Sequence, residues 1–161
     1  MNRKTIIACL LALPLFFVAC NSGGETATQE TTTTDAPKEE AADANYDPSR
    51  GEGEFDSTNV VLGALDPALA TKGKAIADTK CASCHKMTSE QLVGPGWKGV
   101  TERRTPHWIL NFITNPDPMI EKDPAVQAQL EACLVRMPNQ NLNATEAREI
   151  LEYMRQNDGA K

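Results

Sequence analysis

The residues of this chain with the clearest chemistry are five in a row, Cys81-Ala82-Ser83-Cys84-His85. Two thiols three positions apart can add across the two vinyl groups of a haem, and His85 is then placed to bind the iron. A Cys-x-x-Cys pair followed directly by histidine is therefore typical of c-type haem attachment. We predict one covalent haem c, held by thioethers at Cys81 and Cys84, with His85 as an axial iron ligand.

The second axial position of the iron decides what such a haem does. A strong ligand there favours electron transfer, whereas an empty position favours ligand binding or catalysis. The candidates are His107, the only other histidine, and two methionines predicted to lie in loops, Met119 and Met137. The residue types alone leave these three candidates open.

Two other uses of the cysteine pair compete with haem. Cys81, Cys84, His107 and Cys133 could form a tetrahedral zinc site, although their spacing is irregular and His85 would have no role. The pair could also be a dithiol redox motif, although no βαβ pattern surrounds it. If the pair takes haem, Cys133 is left as a small buried hydrophobe and no internal disulfide is expected.

The N-terminus has the pattern of an export signal. A short basic start precedes an apolar run from Ile6 to Ala19, which is too short to span a bilayer comfortably. The run ends at Phe17-Val18-Ala19-Cys20, which resembles the lipobox of bacterial lipoproteins. We predict a signal peptide over residues 1–19 and lipidation of Cys20, whose acyl chains together would anchor the protein stably to a membrane.

Negative charge is concentrated in one stretch of the chain. Residues 20–59 hold ten acidic and two basic side chains, whereas residues 60–161 are balanced, and the whole chain carries a net charge of −6. The stretch also has few large apolar residues with which to bury surface. We predict a disordered acidic tether over residues 20–59 and a folded domain over residues 60–161. The acidity argues against nucleic acid as a partner.

The domain is predicted to be all-α. Its four aromatic residues make a thin core, and a buried porphyrin would supply the missing apolar volume. The first helix should end at Lys80 and deliver Cys81, whereas residues 94–96 and 115–118 are predicted to be loops. Helix starts are marked by four capping signals, Asp66-Pro67, Thr105-Pro106, Asp123-Pro124 and the pair Asn143 and Glu146.

Over about residues 68–156 the pattern resembles class I cytochrome c. That resemblance implies a small fold of about four to five helices wrapped around one covalent haem. The motifs that carry it are Cys81 to His85, Val93-Gly94-Pro95-Gly96-Trp97-Lys98-Gly99-Val100, Met137-Pro138-Asn139, and a final amphipathic helix that contains Tyr153.

The resemblance also implies roles for single residues. In that family the methionine ligand precedes the last helix, a place that Met137 occupies. The proline of the Gly-Pro motif, here Pro95, offers its carbonyl to the ligand histidine, which orients the ring of His85. A tryptophan in the region of Trp108 can contact a haem propionate, and Arg103 could pair with a propionate as a planar charged donor.

The expected function is one-electron transfer without catalysis. We expect a monomer that is lipid-anchored, faces the periplasm and serves a respiratory chain. A quinol-oxidising complex is the expected donor, and a terminal oxidase or a nitrous oxide reductase the expected acceptor. The reductase is suggested only by the likeness of residues 103–115 and 137–142 to small respiratory cytochromes. The alternative is a haem-based sensor or peroxidase-like protein with a displaceable sixth ligand.

Three lysines flank the haem motifs. Lys80, Lys86 and Lys98 could steer an acidic partner toward the haem edge, although scattered surface lysines are common.

Overall fold

The computed structural model describes residues 45–161 of the chain. This part is helical and contains no β-strand, only an isolated antiparallel bridge between His85 and Gln91. The all-α prediction is confirmed, and six helices replace the expected four to five. They are α1 (Pro67–Lys80), α2 (Val100–Arg103), α3 (Pro106–Thr114), α4 (Pro116–Lys122), α5 (Pro124–Cys133) and α6 (Ala144–Asn157).

The helix starts follow the local chemistry that the sequence predicts. Capping side chains accept hydrogen bonds from backbone N–H groups of the first turn, which would otherwise lack partners. At α6 a full capping box forms, because Asn143 and Glu146 each accept from the other's backbone N–H at 3.0 Å. The capped starts are Asp66 for α1, Thr105 for α3, Asp123 for α5 and Asn143 for α6.

The packing of α1 against α6 forms the framework of the domain. A β-carbon at Gly73 would lie 1.9 Å from the carbonyl oxygen of Glu149, so only glycine permits this close approach of the two backbones. Helix α1 ends at Lys80, as predicted, and Cys81 follows it directly. The crossing of the two helices therefore fixes where the haem-binding motif begins.

Helix α4 corrects the prediction of a loop over residues 115–118. Pro116 and Pro118 both lie in the first turn of this helix, where a missing N–H costs no hydrogen bond. Proline at these positions starts a helix rather than preventing one. Met119, expected in a loop, consequently lies on α4 and is fully buried.

Residues 45–59, here called the N-terminal strap, pack against the helices, which corrects the domain boundary predicted at residue 60. The ring of Phe55 is buried, and the backbone N–H of Phe55 donates to the buried side chain of Asn111 at 2.9 Å. The Asn111 amide in turn donates to the carbonyls of Arg50 and Phe55, both at 3.0 Å. Asn111 therefore binds the strap to α3.

A second set of contacts joins the strap to Asp123. The hydroxyl of Tyr46 donates to Asp123 Oδ2 at 2.5 Å, and the indole N–H of Trp108 donates to the same oxygen at 2.7 Å. Asp123 is buried and also caps α5 through its other oxygen. One carboxylate thus links the strap, α3 and α5.

The predicted signal peptide over residues 1–19, the lipid site at Cys20 and the first part of the predicted tether, residues 20–44, lie outside the described residues. Within residues 45–161, each helix is too short or too polar to cross a bilayer.

Candidate haem site

The helices enclose an apolar cavity of about 360 Å³. Ligand pockets in proteins typically measure roughly 300–1,000 Å³, so the cavity is large enough for a cofactor. Aliphatic and aromatic side chains from α3, α4, α5 and α6 form one part of its wall. These residues are Phe112, Ile113, Ile120, Val126, Leu130 and Ile150.

Cys81 and Cys84 lie together on the cavity wall, in the turn that follows α1. The N–H groups of Cys84 and His85 both donate to the carbonyl of Cys81, at 3.0 and 2.9 Å, which closes the motif into a tight turn. Burial raises the pKa of the Cys81 thiol to about 11, with Lys80 opposing the effect. The site therefore favours an uncharged sulfur, as a thioether is.

His85 lines the same cavity and is oriented by Pro95. The distance from His85 Nδ1 to the Pro95 carbonyl oxygen is 2.9 Å. A carbonyl can only accept, so Nδ1 carries the proton and Nε2 keeps its lone pair for a metal. Burial lowers the pKa of His85, partly opposed by the Pro95 hydrogen bond, and so favours the neutral ring that metal binding requires.

The loop after His85 brings Pro95 into place. The N–H groups of Val93 and Gly94 donate to the carbonyl of Cys84, at 3.2 and 2.9 Å. A β-carbon at Gly94 would lie 2.4 Å from Cε1 of His85, so a larger residue would displace the ring. The site predicted from the sequence does not include Gly94. Its position directly before Pro95 could have indicated that it lies against the ring of His85.

Met137 is the candidate for the second axial position that lies on the cavity wall. It is half-buried in the segment between α5 and α6. Met119 faces elsewhere, because its sulfur accepts from the backbone N–H of Glu52 at 3.2 Å. His107 is also outside the cavity lining. Binding of iron by Met137 stays a prediction, but the structure separates it from its two rivals.

The suggested propionate contacts do not agree with the structure. The indole N–H of Trp108 already donates to Asp123, and neither Trp108 nor Arg103 lines the cavity. Arg103 is exposed and donates to the carbonyl of Lys98 at 2.8 Å. The carboxylate of Asp123 thus accepts the indole hydrogen bond that the resemblance assigned to a haem propionate.

The cationic side chains on the cavity wall are instead Lys80 and Arg136. Lys80 directly precedes Cys81 in the sequence, and Arg136 directly precedes Met137. Their position next to predicted haem-binding residues could have indicated that they line the cavity. Each lies beside a carboxylate of the protein itself, Lys80 beside Glu146 at 3.9 Å and Arg136 beside Asp117 at 2.8 Å.

The donor set fits a haem better than a zinc ion. Cys81, Cys84 and Cys133 line the cavity, but His107 does not join them. Among residues 45–161, no three Cys, His, Asp or Glu side chains are arranged to hold a metal ion. A flat apolar cofactor with an iron would pack against the apolar wall, attach to the two thiols and bind the lone pair of His85.

The comparisons with known proteins agree with this site. The family model for cytochrome c matches residues 70–158, more than half of the chain. A cytochrome c-553-like protein of Synechocystis is 34% identical over 65 residues, which make up 38% of this chain and 62% of that protein. The chain thus spans less than two thirds of this relative.

Two solved structures are similar over 65% of this chain and 90% of theirs. Cytochrome c from Rhodothermus marinus is 35% identical, with a TM-score of 0.61. An engineered form of that protein, bound to a carbene intermediate, is 35% identical, with a TM-score of 0.58. The chain therefore belongs to the cytochrome c family as a class I, monohaem member, which binds a covalent haem c with its iron.

Proposed function

We propose that this protein is a one-electron carrier of a respiratory chain, anchored by lipid at Cys20 and facing the periplasm, with no catalytic activity of its own. The observation that carries the proposal is that one apolar cavity has Cys81, Cys84, His85 and Met137 together on its wall. These residues would supply two attachment points for a haem and two neutral donors for its iron.

The protein's own residues set the conditions for electron transfer. Bound haem c supplies the Fe(III)/Fe(II) couple. Pro95 holds His85 in one tautomer, and burial lowers the pKa of the ring and so favours its neutral form. A histidine and methionine ligand pair in an apolar site favours the reduced iron and so raises the reduction potential.

The cavity has little that could perform acid–base catalysis. Its charged side chains are Lys80 and Arg136, and its lining includes no carboxylate. The alternative, a sensor or peroxidase-like protein, requires that Met137 leave the iron. Rapid binding of carbon monoxide to the ferrous protein, together with turnover of hydrogen peroxide, would favour that alternative.

The lipid anchor gives the proposed carrier its place between membrane complexes. A quinol-oxidising complex would donate electrons, and a terminal oxidase or nitrous oxide reductase would accept them. Replacing Cys20 by serine tests the anchor, since the variant should move from the membrane fraction to the soluble fraction of the cells that produce it. If the variant stays in the membrane fraction, the proposed anchor is wrong.

Potentiometry tests the carrier function itself. Haem-loaded full-length protein should titrate reversibly with one electron per chain, and membranes of the source cells supplied with a quinol should reduce it. The same membranes should reoxidise it with oxygen or nitrous oxide as terminal acceptor. A protein that these membranes neither reduce nor oxidise would contradict the proposed function.

A further inference from the structure

Four exposed apolar side chains, here called the rim patch, lie on the wall of the cofactor cavity or directly beside a residue of that wall in the chain. Val93 and Val135 line the cavity while 37% and 52% of their surface stays exposed. Leu92 and Leu134 precede them in the chain and are 49% and 86% exposed. The described residues include one other large hydrophobe of this kind, Val61. Exposed apolar surface is therefore concentrated where the cofactor cavity reaches solvent.

The two halves of the rim patch are held together. Gln91 Nε2 lies 3.6 Å from the sulfur of Cys133, which joins the segment before Leu92 to the segment before Leu134. Gln91 also forms the isolated bridge with His85. The patch is thus continuous with the haem-binding motif rather than a set of scattered side chains.

Leu134 departs from two local rules at once. Its backbone is left-handed, with φ of 55°, at the end of α5, where glycine or asparagine is usual. Its side chain is the most exposed large hydrophobe of the described residues. The left-handed backbone itself ends α5, because the N–H of Leu134 donates to the carbonyl of Leu130, but a leucine side chain adds strain there and buries little surface. Such departures of residue type cluster at functional positions. This residue type at this position therefore indicates selection for a contact outside the domain.

The cations around the patch do not give it a net positive charge. Lys80, Lys86 and Arg136 each lie beside a carboxylate of the same chain, while Lys98 is exposed and lies outside the cavity lining. A carboxylate within about 4 Å offsets the charge of each of the three paired cations, and salt screens what remains beyond about 10 Å. The pairs are Lys80 with Glu146 at 3.9 Å, Lys86 with Glu90 at 2.8 Å and Arg136 with Asp117 at 2.8 Å.

We propose that the rim patch is the docking surface for the redox proteins that exchange electrons with this carrier, and that their contact faces are apolar with little net charge. The proposal rests on the proposed electron-carrier function and names the chemistry of its partners. A neutral apolar patch complements another such patch, and burying Leu134 would bring a partner against the cavity wall. Association should then depend on apolar area rather than on long-range attraction.

The test uses haem-loaded full-length protein and quinol-supplied membranes of the source cells, with the rate of haem reduction as readout. Leu134→Asn removes the most exposed of the large hydrophobic side chains but suits a left-handed backbone. It should lower the second-order rate about tenfold, the effect of losing one buried leucine. Val61→Asn, at a residue 80% exposed and outside the cavity lining, should leave the rate unchanged.

Two further readouts separate docking from a structural role. The thermal stability of Leu134→Asn should equal or exceed that of the wild type, and its reduction by dithionite should be unaffected. The wild-type rate should change by less than about twofold between roughly 20 and 300 mM salt, since screening weakens only charge-driven encounter.

Several results would overturn the proposal while leaving the carrier function intact. Equal rates for Leu134→Asn and the wild type would do so, as would a steep fall of the wild-type rate with salt. Dimerisation in sedimentation experiments that Leu134→Asn abolishes would assign the patch to a second copy of this chain. Binding of Cys20→Ser protein to phosphatidylcholine vesicles through Leu134 would assign it to lipid.

Discussion

Replacing Asp123 by asparagine should lower the free energy of unfolding by about 3–6 kcal/mol, because two hydrogen bonds to a buried charged acceptor are lost at about 1.5–3 kcal/mol each. Oδ2 of Asp123 accepts from the hydroxyl of Tyr46 at 2.5 Å and the indole of Trp108 at 2.7 Å. Oδ1 accepts from the backbone of Ala125 at 2.8 Å and of Val126 at 3.1 Å.

Asparagine cannot replace both oxygens. With its oxygen at the helix start, its amide nitrogen meets two donors and leaves them without an acceptor. With the amide turned over, the two backbone N–H groups of α5 lose theirs instead. For a domain of this size, the loss corresponds to a fall in melting temperature of roughly 10–25 °C.

Thermal unfolding of the haem-loaded protein, followed by far-ultraviolet circular dichroism, measures this effect. Tyr46→Phe, which removes one donor and leaves the carboxylate, should cost about half as much. Asp117→Asn, at an exposed carboxylate beside Arg136, should cost no more than about 1 kcal/mol. An Asp123→Asn protein within about 1 kcal/mol of the wild type would refute the reasoning.

Two further predictions follow from the packing and the electrostatics. Gly73→Ala should cost about 3 kcal/mol, because the new methyl group meets the backbone of Glu149, whereas Gly63→Ala, with open space around it, should stay within about 0.5 kcal/mol in a denaturant titration. Equal effects of the two substitutions would contradict the crossing geometry. Burial and the hydrogen bond to its carboxylate partner raise the pKa of Tyr46, so in Tyr153→Phe protein the remaining phenol should ionise above its usual value of about 10. The stabilisation from this phenol is complete below that pH and is lost as the pH rises beyond it; a phenolate absorbance centred at or below about 10 would contradict the buried contact.

Features with local causes could be predicted from the sequence. The spacing of Cys81, Cys84 and His85 defines the attachment turn without help from the rest of the fold. Capping residues such as Asp66 and Asn143 determine helix starts through hydrogen bonds to residues two or three positions away. For the same reason the all-α class and the end of α1 could be predicted.

Features that depend on distant partners could not be predicted. Tyr46 and Asp123 are 77 residues apart, and nothing in the acidic composition around Tyr46 indicates that it has a buried acceptor. Trp108 has an indole donor that either a propionate or a carboxylate could satisfy, and only the fold decides between them. The prolines of α4 are equally compatible with a loop and with the first turn of a helix.

Absorption spectroscopy of the oxidised, haem-loaded protein tests the central claim most directly. The account predicts a low-spin spectrum with the weak band at the red edge that reports a bond between sulfur and iron. Met137→Ala should abolish this band, whereas Met119→Leu, at a buried methionine outside the cavity lining, should retain it. A band that survives in Met137→Ala, or that the wild-type protein lacks, would contradict the assignment of His85 and Met137 as the two axial ligands.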